Sequence, residues 1–438
     1  MTTRRRALAA AAALLAWPAA RAADAPGPLL AALLQQHGAG TPAFWQALAA
    51  QGTPLAEPLD GGSRFRVSFV WRGHESTREV RLFWPVRAGD DPRLQRLGDS
   101  DVWWAEVVLA RGTRLAYQLA PDTPRRPGAT PLQQRRAVLE VVQADPLNPR
   151  AFPADPALGL RERSSVLALP GALDEPWAAG PLPARRGTLE SIDWRSQRLG
   201  NQRRVSVYTP AGAAPAGGWP LLLLFDGPDW LAKVDLPAVL DRAFAAGMLA
   251  PMLAVLVGNA SPEARGTELP CNPEFADAIA LELMPALAQR HAISADPARS
   301  TIGGASYGGL AASWIALRHP QRFGRVLSLS GSYWWAPNHL MGMAPPLHQS
   351  PEDQWLTRHV AESERVPVRL YLAAGRLERT RPGDGVGILD ANRNLRNVLR
   401  AKGYRVQHHE FDGGHDWLAW RGELVLGLQA LAADQDRS

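Results

Sequence analysis

Ser306 stands in Gly303-Gly304-Ala305-Ser306-Tyr307-Gly308-Gly309 and has a glycine two residues away on either side. Gly-x-Ser-x-Gly is the pattern of a nucleophile elbow, a sharp strand-to-helix turn that holds a serine Oγ out at the top of a sheet. The glycines are needed for steric reasons, because the strained turn brings its neighbours too close for side chains. Alone the pentapeptide is a weak signal in a chain rich in Gly, Ala and Ser. It gains weight if a strand precedes it, a helix follows it, and an acid and a histidine come later.

An activated serine needs a base and a group that orients the base. In α/β-hydrolases the chain order is Ser, acid, His. His415 ends Phe411-Asp412-Gly413-Gly414-His415, a loop that leaves a strand pattern and opens a helix pattern. Its two glycines let the loop bring the imidazole over the elbow. His408 and His409 lie inside the preceding strand and are poorer candidates. For the acid, Glu378 comes three residues after the apolar run Leu370-Tyr371-Leu372-Ala373-Ala374-Gly375, with Asp384 and Asp390 as rivals. Such a set predicts attack by Ser306 Oγ on an ester carbonyl, with His415 as base and Glu378 holding its tautomer. The oxyanion needs backbone N–H donors. One is expected from Tyr307, and the other from the loop Asp226-Gly227-Pro228-Asp229-Trp230. No metal or other cofactor is required, and no His/Asp cluster has ligand spacing.

The elements around these residues fall into two patterns. Leucines and aromatics at helical spacing predict a helix over 29–50. From residue 64 the period changes to two: Phe65, Val67, Phe69 and Trp71 alternate with more polar neighbours, and further short strands follow at 80–84, 102–109 and 115–119. Strands at this spacing predict a small all-β sandwich, with Trp71, Trp84, Trp103 and Trp104 read as packing residues. A strand is also expected at 137–142. The Pro-, Ala- and Arg-rich stretch 146–186 reads as a linker. From residue 187, strands alternate with helices, and Leu221–Phe225 is apolar throughout, as a strand buried on both faces should be. The fold class is α/β, with a mainly parallel hydrolase sheet over 187–438 preceded by the sandwich over 24–145. Strand and helix patterns flank Ser306, which supplies the elbow's context.

Composition narrows the class further. The single Cys271 excludes an intrachain disulfide and a cysteine-based zinc site. The net charge is +6, yet no Lys/Arg run interleaves with aromatics, so nucleic acid is not an expected partner. Residues 1–23 read as a signal peptide: Arg4-Arg5-Arg6, an apolar run over 7–17, and Ala20-Arg21-Ala22 as the cleavage site. The start also loosely matches a twin-arginine signal. Beyond it, no stretch reads as a membrane span. An exported, periplasmic protein acting on a small molecule is the expectation.

Several further stretches together resemble the enterochelin esterases, the hydrolases that open ferric catecholate siderophores. They are Asp226-Gly227-x-x-Trp230, Glu268-Leu269-Pro270-Cys271-Asn272, the elbow with Gly309, Ser330-Gly331-Ser332-Tyr333-Trp334-Trp335, and Asp412-Gly413-Gly414-His415-Asp416 with Trp420-Arg421. Asp101-Val102-Trp103 and Asp145-Pro146-Leu147-Asn148-Pro149 extend the likeness into the first domain. The resemblance implies hydrolysis of the seryl esters in a dihydroxybenzoylserine trilactone. It implies that Arg265 and Arg421 meet an anionic substrate, and that Trp334, Trp335 and Trp420 stack on catechol rings. Two features depart from the pattern. Pro228 has no N–H, so the second oxyanion donor falls to Gly227 or Asp229. An export signal also accompanies both domains, whereas two-domain members are expected in the cytoplasm. Two other readings compete: a feruloyl or acetyl esterase with the sandwich as a carbohydrate-binding module, and a periplasmic siderophore-binding protein with a vestigial site.

Overall fold

The computed structural model describes residues 25–85, 92–124, 126–129, 131–337, 353–379 and 386–433. The signal peptide expected over 1–23 and the rival acid Asp384 lie outside the described residues.

The first sheet has eight strands: β1 (Leu55–Leu59), β2 (Arg64–Arg72), β3 (Val80–Phe83), β4 (Arg93–Arg96), β5 (Val102–Ala110), β6 (Arg114–Pro121), β7 (Ala151–Phe152) and β8 (Ser164–Ala168). Their order is β1-β2-β5-β4-β3-β6-β8-β7, with every pair antiparallel. Side chains from β2 and β5 share one core with side chains from β6 and β8. The sheet therefore curls so that its two halves face each other, which is how a single sheet makes a sandwich. Phe69 meets Tyr117 edge-on across that core, ring centroids 4.9 Å apart. The alternate residues Val70, Val102 and Trp104 face outward, where Leu30, Phe44, Trp45 and Leu48 cover them. Period two thus assigns β2 and β5 to two separate apolar faces.

The second sheet holds β9 (Thr188–Ser196), β10 (Asn201–Thr209), β11 (Leu221–Phe225), β12 (Leu253–Val257), β13 (Ser300–Ala305), β14 (Arg325–Leu329), β15 (Arg369–Gly375) and β16 (Arg405–Phe411). Its order is β16-β15-β14-β13-β11-β12-β10-β9. The six strands β11 to β16 pair in parallel, while β9 and β10 run antiparallel at one edge. Leu221, Leu223 and Phe225 enter the core on one face, and Leu222 and Leu224 the core on the other. That accounts for the unbroken apolar run. From β11 the chain moves outward to β12 and then returns to β13 on the opposite side. The crevice beyond the carboxyl ends of β11 and β13 is therefore a switch point, where open α/β sheets place ligands.

Three expectations needed correction. The stretch 146–186 contains β7 and β8, and β8 pairs with β6, so the first sheet extends to Ala168. Residues Pro131–Leu139 form a helix where a strand was expected over 137–142. The helix expected over 29–50 is two helices, Pro28–His37 and Pro42–Gln51. Gly38 and Gly40, at φ 77° and 72°, turn the chain between them.

Candidate active site

Every residue of β13 is buried, and the chain turns at its end directly into the helix Tyr307–Arg318. Ser306 sits at that turn with φ 58° and ψ −120°, a conformation that costs a non-glycine residue roughly 1–3 kcal/mol. Neighbours hold it there. Ser306 N donates to Leu329 O at 2.9 Å, and Ser332 N donates to Ser306 O at 3.1 Å. A Cβ added to Gly304 would lie 2.7 Å from the Gly308 carbonyl carbon, so that glycine is obligatory. Ser306 Oγ lies 3.2 Å from Ser332 Oγ and makes no hydrogen bond to His415 among the described residues. Catalytic hydrogen bonds are often loose before substrate binds.

The parallel register pairs Gly375 with Phe411, so the turn after β15 and the loop after β16 lie side by side. Glu378 is buried on the first and His415 lies on the second. His415 Nδ1 and Glu378 Oε1 are 2.5 Å apart. The other carboxylate oxygen accepts from Gly375 N at 2.6 Å and Ser330 Oγ at 2.7 Å. Trp420 Nε1 donates to Ser330 Oγ at 3.0 Å, and its ring meets the His415 ring edge-on at 4.8 Å. Trp420, Ser330, Glu378 and His415 therefore form a closed ring of contacts. With Nδ1 committed to the carboxylate as donor, Nε2 is left as the proton acceptor. The two histidines of the preceding strand are engaged elsewhere. Burial and the nearby Arg396 push His408 down to about 4, and His409 binds Glu423 at 2.8 Å. Asp390 pairs with Arg393.

The loop after β11 starts with Asp226 at φ 59° and makes one helical turn, Gly227–Asp229. Asp229 N is used within that turn, donating to Asp226 O at 3.0 Å, and its carboxylate pairs with Lys233. The backbone N–H groups of Gly227 and Tyr307 have no partner among the described residues. Of the donors expected here, Gly227 and Tyr307 are thus free and Asp229 is not. Arg265 grips Asp226 with two bonds of 2.7 and 2.8 Å, and Asn259 adds a third at 2.7 Å. The same guanidinium lies 5.8 Å from the Tyr307 ring centre. Burial works against its charge, but Asp226 outweighs that and raises its pKa. Burial also pushes the Tyr307 phenol up to about 12, with Arg265 opposing, so it stays protonated.

The residues expected to meet substrate divide. Trp334 and Trp335 are half-buried, and Trp334 lies 6.0 Å from Tyr307. Trp420 is buried inside the ring of contacts described above, so it is no open stacking surface. Arg421 is bound to Glu175 at 2.7 and 2.9 Å, which directs it to the boundary between the two sheets. Arg265 is committed to Asp226. Sequence reasoning missed the parts played by Ser330, Ser332 and Glu175, and by Pro85, whose carbonyl accepts from His415 N at 2.8 Å. The Ser330-Gly331-Ser332 stretch carries part of the family resemblance, but nothing in its spacing assigns its hydroxyls. Among the described residues, no group of three or more His, Cys, Asp or Glu is arranged to hold a metal ion, and no helix is long and apolar enough to cross a membrane.

The arrangement suits acyl transfer through a serine, and two measurements bear on it. Replacing Ser330 by Ala strips Glu378 of a donor and leaves the Trp420 N–H unpaired, at a cost of about 1–3 kcal/mol. The expected result for ester hydrolysis is a fall in kcat of about tenfold or more with KM little changed, and an unchanged kcat would refute this role. The second concerns Asp416, which accepts from Ala419 N at 2.8 Å and Ala116 N at 3.3 Å. Burial raises its pKa from 3.8 to about 6, against the opposing pull of those bonds and of Arg114. The folded state thus holds this proton more tightly than the unfolded chain does. Its stabilising contribution is full below the unfolded value of 3.8 and is lost as pH rises through about 6, with an upper bound of about 3 kcal/mol. In urea titrations the stability of wild type relative to Asp416→Asn should therefore fall between pH 4 and 7; a difference that is flat or rises would contradict it.

Comparison with known proteins agrees with this geometry. The esterase family matches residues 196–431, and the family described as enterochelin esterase, N-terminal, matches residues 66–178. The iron(III) enterobactin esterase of Dickeya dadantii is 33% identical over 94% of this chain and 97% of that protein. The enterobactin esterase of Shigella flexneri, solved in the presence of enterobactin, superimposes with a TM-score of 0.71 at 30% identity, covering 90% of this chain and 99% of that one. The ferric enterobactin esterase of Salmonella typhimurium gives 0.73 at 27% identity, over 91% and 100%. With its curled first sheet and its α/β-hydrolase domain, the chain belongs to the enterochelin esterases and is a carboxylic ester hydrolase.

Proposed function

We propose that this esterase hydrolyses the ester bonds of a cyclic catecholate trilactone of the enterobactin type, releasing linear dihydroxybenzoylserine products and, from the ferric form, its iron. The observation that carries the reading is the likeness over both domains to proteins named iron(III) enterobactin esterase, one of them spanning 94% of this chain. The hydrogen-bonded pair His415–Glu378 on the strand ends beside Ser306 supports the chemistry.

Ser306 Oγ attacks a seryl ester carbonyl while His415 Nε2 takes its proton. Glu378 keeps Nδ1–H in place and offsets the imidazolium charge. Tyr307 N–H and Gly227 N–H bind the oxyanion, and each sits at the start of a helical turn, where the backbone dipole favours negative charge. His415 then returns the proton to the leaving serine hydroxyl. Water, deprotonated by the same imidazole, frees the acyl group. Trp334 offers a half-buried aromatic face beside the elbow for a catechol ring, and Trp335, which packs edge-on against Trp355, extends the aromatic surface. Residues 1–23 would direct export, which places the cleavage in the periplasm.

Purified protein mixed with enterobactin or its ferric complex should yield linear products by mass spectrometry. Ser306→Ala should lose at least about 10³-fold in kcat, since the three side chains act as a unit. Lack of product from either substrate with wild type, or equal rates for wild type and variant, would reject the proposal. Export is checked by fractionating cells: mature chain beginning near residue 23 belongs in the periplasmic fraction, and an uncleaved chain in the cytoplasm would refute it.

A further inference from the structure

The loop that carries His415 rests on the first domain. His415 N donates to Pro85 O at 2.8 Å, just beyond β3. Arg114 N, at the start of β6, donates to Asp412 O at 2.9 Å. Ala116 N donates to Asp416 Oδ2 at 3.3 Å. A Cβ on Gly413 would lie 2.9 Å from Arg114 O, and one on Gly414 would overlap the Pro85 carbonyl. Two consecutive glycines confer no rigidity of their own. The loop is shaped by its surroundings: the Glu378 turn on one side, where Leu377 N donates to Gly413 O at 3.1 Å, and the first domain on the other.

A buried charge cluster holds the two domains at this point. Glu175, from the connection between the sheets, binds Arg114 of β6 at 2.6 Å. It also binds Arg421 of the helix Trp417–Ala433 at 2.7 and 2.9 Å. The Glu175 side chain is 3% exposed, and those of Arg114 and Arg421 are 13% and 14% exposed. Phe152 of β7 lies under the Arg421 guanidinium at 5.2 Å. Phe152 and Val166 pack with Leu418 from the same helix. Buried ion pairs are a poor source of net stability, because desolvation offsets the attraction. What such a pair does supply is geometry, since the arginine fork accepts few orientations. Here the orientation matters, because Arg421 adjoins Trp420, whose ring lies on His415.

We propose that Glu175, through Arg114 and Arg421, is a positioning residue for His415, and that the first domain completes the catalytic site. The sandwich then acts as a structural half of the esterase and not as a separate ligand-binding module. This rests on His415 being the base in the reading above.

The test uses the full chain with Glu175→Gln, which keeps the shape and removes the charge. Two readouts are needed: kinetics on an activated aryl ester, and the downfield proton resonance of His415 Nδ1–H, assigned by its loss in His415→Ala. The expected result is a kcat lower by about 10- to 100-fold, since small misplacements of a catalytic group cost that much. KM should change little, and the resonance should shift or broaden. If Glu175→Gln does not fold, Arg421→Lys keeps the charge, loses the fork and should show the same pattern. Wild-type kcat together with an unmoved resonance in the folded variants would overturn the proposal. A wild type that leaves the trilactone intact while the resonance still moves in Glu175→Gln would defeat the substrate reading and leave this inference standing.

Discussion

The hydrogen bond between His415 Nδ1 and Glu378 Oε1 is the contact that the rest of the site is built to keep. A carboxylate 5% exposed must have its oxygens satisfied, or it costs more than it contributes. Gly375 N and Ser330 Oγ satisfy one oxygen, and the imidazole satisfies the other. Each partner lies just beyond or at the end of a neighbouring strand. Gly375 ends β15, Ser330 follows β14 and His415 follows β16. The parallel sheet brings these positions together because its strands end at the same level. An antiparallel sheet would have placed alternate turns at opposite ends. Strand direction and site electrostatics are therefore one constraint.

The same edge gathers backbone strain. Asp226, Ser306 and Ser330 directly follow β11, β13 and β14, and all three have positive φ, at 59°, 58° and 50°. Positive φ is uncommon outside glycine and tends to persist only where surroundings over-determine it. Each has its own restraint. Ser306 N reaches across to Leu329 O on β14, and Ser330 N reaches across to Ala373 O on β15. Asp226 is held through its side chain by Arg265 and Asn259. Two of the strained turns thus carry the sheet's hydrogen bonding one step past its end. This turns the chain sharply there while keeping the amides of Ser306 and Ser330 paired, and it sets Ser306, with the free amide of Tyr307 behind it, at the open crevice.

Much of this was legible in the sequence, for identifiable reasons. Ser306, Glu378 and His415 could be located because each follows a strand whose apolar or alternating run is visible, and flanking glycines mark the turns. The parallel sheet could be read from Leu221–Phe225, whose residues have no polar face to expose. Long-range pairing was not legible. β8 is a five-residue strand of small and apolar residues whose identity comes from β6, some fifty positions earlier. Arg421 looked free to meet an anion because its carboxylate partner lies 246 residues away. Trp420 and Trp334 are both tryptophans that the family resemblance offers as surfaces for catechol rings. Only packing separates them: one is buried with its indole N–H bound to Ser330, while the other is half-buried beside the elbow.

Pro228 shows how a departure in sequence can be neutral in structure. It occupies the second position of the helical turn after β11, where its missing N–H removes one of three possible donors. Asp229 N is spent closing that turn on Asp226 O, which leaves Gly227 N. Gly227 itself can be nothing larger, because an added Cβ would lie 2.6 Å from the Leu256 carbonyl carbon. The turn is therefore pressed against β12, with its first amide left unpaired. The ring fixes the φ of Pro228 itself in the helical range, so it stiffens the turn directly behind the free amide. A donor held rigid before the reaction needs no reorganisation when charge develops on the substrate oxygen. In this loop the proline supports that donor while supplying none.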